Sequence, residues 1–434
     1  MHESPGAHGD TAVSRPLPPS GPALLGPSVT PATLADLWAD LVWPKLLEAV
    51  RLALRPSRIG LGVAFVLGVA AIVSGAGLLD GAKNKNTVGS YLEMQLPDHL
   101  DGVWRAVSNQ NPTTAARWIW RMFVDEPANL LTQSGRWAAV LALPIIFAWA
   151  TIIGGAISRM AVCDHAMGLR ITWPQGLGFA LGRWRSLLLG AALPLLLVWV
   201  ICLLMSIAGW VVFSTPWLNV LGGALWFLFL IGGVVVAVTL VAYLLGHPLL
   251  VPAVAAENAD AIDAMQHAYA FVLARPLRLV IYAAVLLVQA AMAVLLVGTI
   301  LELVAVVSQQ SAGAFIKSAD IRRMFEPGVW PANRTGLSTS EKAARWAIGF
   351  WNHVPRLVFL GFCVSLYWCS STMLYLAMRK VVDGQDTHEI WTPGMIPGTM
   401  SAEAERPRIR TADAAVGGAP AGEGVVDNGP ADET

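Results

Sequence analysis

The sequence predicts an all-α integral membrane protein with about six transmembrane helices, arranged as three repeats of an amphipathic helix followed by a helical hairpin. Three observations carry this. Of 434 residues, 55% are hydrophobic and only 13% are charged, against about 25% charged in ordinary soluble domains. Six apolar runs each reach the roughly 20 helical residues needed to cross about 30 Å of hydrocarbon. A basic step recurs where apolar runs begin: "LALRPSRIG" at Leu52 to Gly60 and "VLARPLRLV" at Val272 to Val280.

The runs are approximately Ile59 to Leu79, Trp137 to Ile157, Leu187 to Val212, Leu218 to Leu245, Leu279 to Val306 and Leu357 to Met378. "FSTPWLN", Phe213 to Asn219, reads as a tight hairpin between the third and fourth. Lys and Arg cluster before the first, third and fifth runs and after the second and sixth, so both termini are expected in the cytoplasm. Trp137, Trp184, Trp210, Trp217 and Trp351 lie near run ends, where an amphipathic ring favours the headgroup level.

Residues 1 to 32 have the Pro, Gly, Ser and Ala content of a disordered segment and lack the features of a secretory signal. The first run is therefore expected to direct insertion and remain in the product. The membrane domain is placed at 33 to 380 and a polar, largely disordered tail at 381 to 434.

Each outward run is preceded by a candidate amphipathic helix. Before the fifth, Ile262, Met265, Tyr269 and Val272 recur at helical spacing, with acids at the start and Arg275 at the end. Before the first, Thr33 and Asp36 suggest a capping box, followed by Leu34, Leu37, Trp38 and Leu41 and then by Leu46, Leu47, Val50 and Leu54. Before the third, Trp173, Leu177 and Leu181 are interleaved with helix-weakening glycines. Aligning the segment from Ala161 with that from Ala253 pairs Phe179 with Phe271, Leu181 with Leu273 and Arg183 with Arg275. Three parallel units follow, at about 33 to 159, 160 to 251 and 252 to 380.

The arginines of these steps, Arg55, Arg58, Arg183, Arg185, Arg275 and Arg278, are candidate lipid-headgroup contacts, their stems on apolar surface and their guanidinium groups among phosphates. Pro56 and Pro276 suit the first turn of a helix, where no N–H is needed. In the sixth run Gly361, Ser365, Cys369 and Thr372 share one helical arc and form a candidate packing stripe. The four cysteines, Cys163, Cys202, Cys363 and Cys369, have no C-x-x-C spacing and read as small hydrophobes.

Chemistry-bearing patterns are few. Zero formal net charge excludes the basic footprint of a nucleic-acid binder. H-E-x-x-H, G-x-S-x-G and Walker A patterns do not occur, so no catalytic residue, metal ligand or cofactor is assigned. "CDH", Cys163 to His165, reads as a solvated segment, and Asp383, Asp386, His388 and Glu389 as a polar turn leaving the membrane. An enzyme would need those two groups to converge. A permease would need Gln289 and Tyr367 to Thr372 to face one continuous cavity, and no intramembrane charge relay supports it. Two segments between spans, "ARWIWRMFVDEP" (Ala116 to Pro127) and "EKAARWAIGFWNHVPR" (Glu341 to Arg356), read as helices lying on the outer leaflet. Asn333 to Thr335 fits a short glycosylation sequon.

"LVPAVAAENADAIDAMQHAYAFVLARPLRLVIY" (Leu250 to Tyr282) and "STMLYLAMRKVVDGQDTHEI" (Ser371 to Ile390) resemble stretches of uncharacterised bacterial multi-pass membrane proteins. They are more distantly similar to the membrane domain attached to some glycerophosphodiester phosphodiesterases. The resemblance covers roughly 140 to 390, lacks the catalytic domain, and implies membrane topology without an activity. The expected protein is a non-enzymatic scaffold, assembly or envelope-homeostasis factor of the bacterial inner membrane, or alternatively a flippase-like permease. Membrane lipids and a membrane-protein partner or second copy are its expected contacts.

Overall fold

The computed structural model describes residues 46–80, 96–132, 136–215, 217–316 and 339–392. Residues 1–45 and 393–434, the capping box at Thr33 and the sequon at Asn333 lie outside the described residues, as do parts of the long loops; the start of the expected disordered tail, 381–392, is instead described and bonded to the bundle through Asp386, Glu389 and Trp391. Within the described residues 89% are helical and none is in a strand, so the all-α fold class holds.

The elements are α1 (Glu48–Ala53), α2 (Pro56–Asp80), α3 (Leu96–Ser108), α4 (Pro112–Trp120), a π turn (Arg121–Asp125), α5 (Glu126–Thr132), α6 (Arg136–Met167) and α7 (Trp173–Gly182). They continue with α8 (Trp184–Ser214), α9 (Leu218–Ala224), α10 (Trp226–Glu257), α11 (Ala261–Ala274), α12 (Pro276–Gly313) and α13 (Thr339–Val382). Six of them, α2, α6, α8, α10, α12 and α13, are long and apolar enough to cross a membrane. A short helix ending at or just before Arg55, Arg183 or Arg275 precedes each of α2, α8 and α12.

Local chemistry explains the breaks. Pro56 and Pro276 open α2 and α12, where the missing N–H costs nothing. Thr172 and Gln175 close a capping box at α7, which overcomes its glycines. Asn258 at φ 56° ends α10, a left-handed conformation that Asn tolerates better than most residues. The tight hairpin expected at Phe213 to Asn219 is looser: Trp217 has φ 72° and α9 intervenes before α10 begins at Trp226.

Two helices are longer than expected. α12 has 38 residues and α13 has 44, roughly 57 and 66 Å at 1.5 Å per residue. Glu341 to Arg356 is therefore no separate interfacial helix but the first part of α13, which continues through Pro355. Ala116 to Pro127 also does more than lie on a leaflet: Phe123 and Val124 pack against Val198, Val236 and Leu240 of α8 and α10.

α13 is the central helix. In its most apolar window 56% of residues are buried, against 17% in α10 and α12, which turn wide apolar faces outward toward lipid. It meets α2 where two glycines abut: a Cβ on Gly62 would fall 2.1 Å from the Gly361 carbonyl oxygen. α1 packs against both α12 and α13. Gln289 of α12 donates to the Leu47 carbonyl at 2.9 Å, and Ser365 of α13 donates to that of Ala53 at 3.0 Å.

Candidate functional site

Toward one end of the bundle, two groups of buried charge, linked by an arginine, join the ends of the returning helices to the short helices between spans. The first is built on Asp164, near the end of α6. Its Oδ2 receives Arg55 Nε and Arg58 Nη2, both at 2.8 Å. Arg58 also donates to the carbonyls of Leu52 at 2.5 Å and Met160 at 2.7 Å. One guanidinium thus satisfies carbonyls on two helices and one carboxylate, a use of its rigid fork that lysine could not copy. Beside it, His165 Nδ1 donates to Glu48 Oε2 at 2.7 Å. Burial alone would raise the Glu48 carboxyl, but the bond and charge of His165, with Arg51, hold it below its ordinary pKa.

The second group is built on Glu257, the last residue of α10. It accepts a hydrogen bond from the Tyr375 hydroxyl, lies 3.5 Å from Arg379 Nη1 and is 3.2 Å from His267 Nδ1. The Glu257 carboxylate beside it raises the His267 pKa against the opposing effect of burial, and the charges of Asp383 and Asp263 add to it. Burial, reinforced by Glu257, raises the Asp383 carboxyl despite His267 and Arg379. Arg379 is fully buried and also donates to the carbonyls of Asp386 and Glu389, folding the chain after α13 back beneath the bundle.

Arg159 links the two. It donates to the Ala255 carbonyl at 2.8 Å and the Trp391 carbonyl at 2.9 Å, with its guanidinium over the rings of Phe179 and Trp391. The Trp391 amide in turn donates to the Ala256 carbonyl at 3.0 Å. His388 stacks on His165 with centroids 5.5 Å apart, and its Nδ1 lies 3.1 Å from the Ala166 carbonyl. A carbonyl only accepts, so that nitrogen carries the proton.

This geometry revises the sequence reading of the arginines. Arg58 is 2% exposed and bonded through both terminal nitrogens, so it is no headgroup contact: desolvating it costs less when Asp164 and two carbonyls replace water. Arg55 is half-buried and shares Asp164. Arg183 pairs with Asp260 at 3.3 Å, Arg185 lies over the Trp184 ring, Arg275 is exposed and Arg278 is buried. The Cys163 to His165 segment is buried, not solvated. The stripe of Gly361, Ser365, Cys369 and Thr372 is buried throughout, with Thr372 bonded to the Trp368 carbonyl of its own helix at 2.7 Å.

The polar groups proposed to line a permeation path stand apart. Tyr367 meets His247 at 3.1 Å, and Ser371 and Thr372 are buried. Gln289 instead borders an apolar groove of about 980 Å³ shared with Leu47, Val288 and Met292, whose lining includes none of Tyr367 to Thr372. The two clusters that an enzyme would need to bring together do converge, at the His165 and His388 rings. Even so, no group of three or more His, Cys, Asp or Glu side chains among the described residues is placed to hold a metal.

Asp164, Glu257, Arg159 and Arg379 were not singled out as site residues. What marked them was an ionisable residue in or beside an apolar returning run, a position that normally requires a partner.

The chain matches no family model, no curated protein and no solved structure. Its functional reading therefore rests on the geometry.

Proposed function

We propose that this is a non-enzymatic six-span protein of the bacterial inner membrane, with both termini cytoplasmic, acting as a scaffold or assembly factor through contacts with lipids and membrane proteins. One observation carries the reading: Asp164, Glu257, Arg58, Arg159 and Arg379 are committed to joining α1, α2, α6, α10, α13 and the segment after α13. Such a closed network specifies one arrangement of helices, a use for which buried charge is suited. The repeated order of short helix, arginine, outward span and returning span supports three parallel units, each contributing to this end of the bundle.

The test is reconstitution. Protein in sealed vesicles should neither scramble fluorescent phospholipids nor take up solute above protein-free controls, while crosslinking in cells should capture a reproducible membrane-protein partner. Lipid or solute flux well above background would overturn the reading in favour of a flippase-like permease.

A further inference from the structure

Far from the buried charges, α12 and α13 enclose a cleft of about 360 Å³ that contains both Glu302 and Arg356. Both side chains belong to exposed residues, and among the described residues neither has an ion-pair partner. Opposite charges that face one small cleft without meeting leave room for a ligand that carries both signs.

The position defines the medium. No Asp, Glu, Lys, Arg or His occurs in Leu279 to Leu301 of α12 or Leu357 to Met378 of α13. Each stretch is roughly 33 to 35 Å long as a helix, close to the hydrocarbon thickness of about 30 Å. Glu302 and Arg356 are thus the first charges beyond the apolar stretch that starts at Arg278 and Arg379. Trp346, Phe350 and Trp351 are exposed next to them, as in an interfacial aromatic belt, and Leu303, Val304 and Val307 keep the neighbouring surface apolar.

The lining is suited to a zwitterion. Pro355 has no N–H to give the Trp351 carbonyl four residues earlier, which frees that oxygen, on a residue lining the same cleft as Glu302, to act as a second acceptor for an ammonium group. Trp351 also carries an aromatic ring, a face of the kind that attracts cations. Arg356 and the Asn352 amide offer donors to a phosphate. Phe359 lies over Gly298, where an added Cβ would come within 3.3 Å of its ring, and this forms an apolar floor.

We infer that the α12/α13 cleft binds the headgroup of an aminophospholipid, with its ammonium at Glu302 and its phosphate at Arg356. This site is separate from the repeated arginine steps and does not depend on whether the protein is a scaffold or a permease.

The probe is phosphatidylethanolamine in nanodiscs of defined composition, compared with phosphatidylcholine, phosphatidylglycerol and soluble phosphoethanolamine, with retained lipid counted by native mass spectrometry. Phosphatidylethanolamine should be retained most, phosphatidylcholine less because its quaternary ammonium donates no hydrogen bond, and phosphatidylglycerol least. Soluble phosphoethanolamine should compete only weakly. Glu302→Gln and Arg356→Gln should each lower phosphatidylethanolamine retention about tenfold, as expected for losing a charged hydrogen bond. Equal retention of phosphatidylglycerol by the unaltered protein, strong competition by the soluble headgroup, or unchanged retention in both variants would overturn the inference.

Discussion

The two Arg-Pro-x-Arg steps, Arg55 to Arg58 and Arg275 to Arg278, have the same spacing but different surroundings. In the first, Asp164 reaches both arginines and Arg58 is sealed inside the bundle. In the second, Arg275 is exposed at the mouth of α12, while Arg278, the counterpart of Arg58, is buried. The steps thus differ at their first arginine: Arg55 is tied to Asp164 and Arg275 is left exposed. One pattern can tie its first arginine to a buried carboxylate or leave it open; the helix that returns beside it decides which.

The sharpest way to break this contrast is to remove the carboxylate. Asp164→Ala leaves two guanidinium groups without their counter-ion and should cost about 3–5 kcal/mol, read as a large fall in thermal midpoint in detergent. A fall no greater than that of an exposed substitution would mean that Asp164 is not the clamp.

The α2/α13 crossing gives the next largest effect. Gly62→Ala places a methyl group against the Gly361 backbone and should cost about 1–3 kcal/mol by overpacking. Gly60→Ala has nothing within 4 Å and should be neutral or stabilising by up to about 1 kcal/mol, because alanine is the better helix former. Equal effects in the two variants would show that the crossing is not tight.

A smaller effect should appear with pH. The His267 pKa is raised in the folded state chiefly by Glu257. Its contribution is complete below its unfolded value of about 6.5 and is lost as pH rises through the higher folded value. The stability difference between the parent and His267→Gln should therefore shrink from mildly acidic to alkaline pH. A constant difference would show that the pair does not titrate with folding. Arg275→Ala should have the smallest effect, within about 0.5 kcal/mol, and a loss comparable to that of Arg55→Ala would erase the distinction between the two steps.

The spans were legible because an apolar run of 20 or more residues has little alternative in a membrane protein. The break at Arg55 and Pro56 was legible because proline announces a helix start. The clamp was not, because Arg58 and Asp164 are 106 positions apart and Tyr375 and Glu257 are 118 apart. Periodicity reports which face of a helix is apolar, but not which distant carboxylate will meet an arginine. The boundary between Glu341 to Arg356 and the run from Leu357 was drawn where the polarity changes, yet α13 runs across it and through Pro355 with the loss of one backbone bond. Ala116 to Pro127 was placed correctly as helical, but its composition could not show that Phe123 would insert between α8 and α10.

The Gly62–Gly361 contact has a mechanical consequence. Gly361 stands at the middle of α13, with 22 residues before it and 21 after, so this close backbone approach divides the rod into two arms of roughly 33 Å each. The arms are held unequally: Ser365, Tyr375 and Arg379 tie the one that ends at Val382, whereas the other exposes Trp346, Phe350 and Trp351. Bending of α13 therefore falls to this second arm, where Pro355 has already removed one backbone bond.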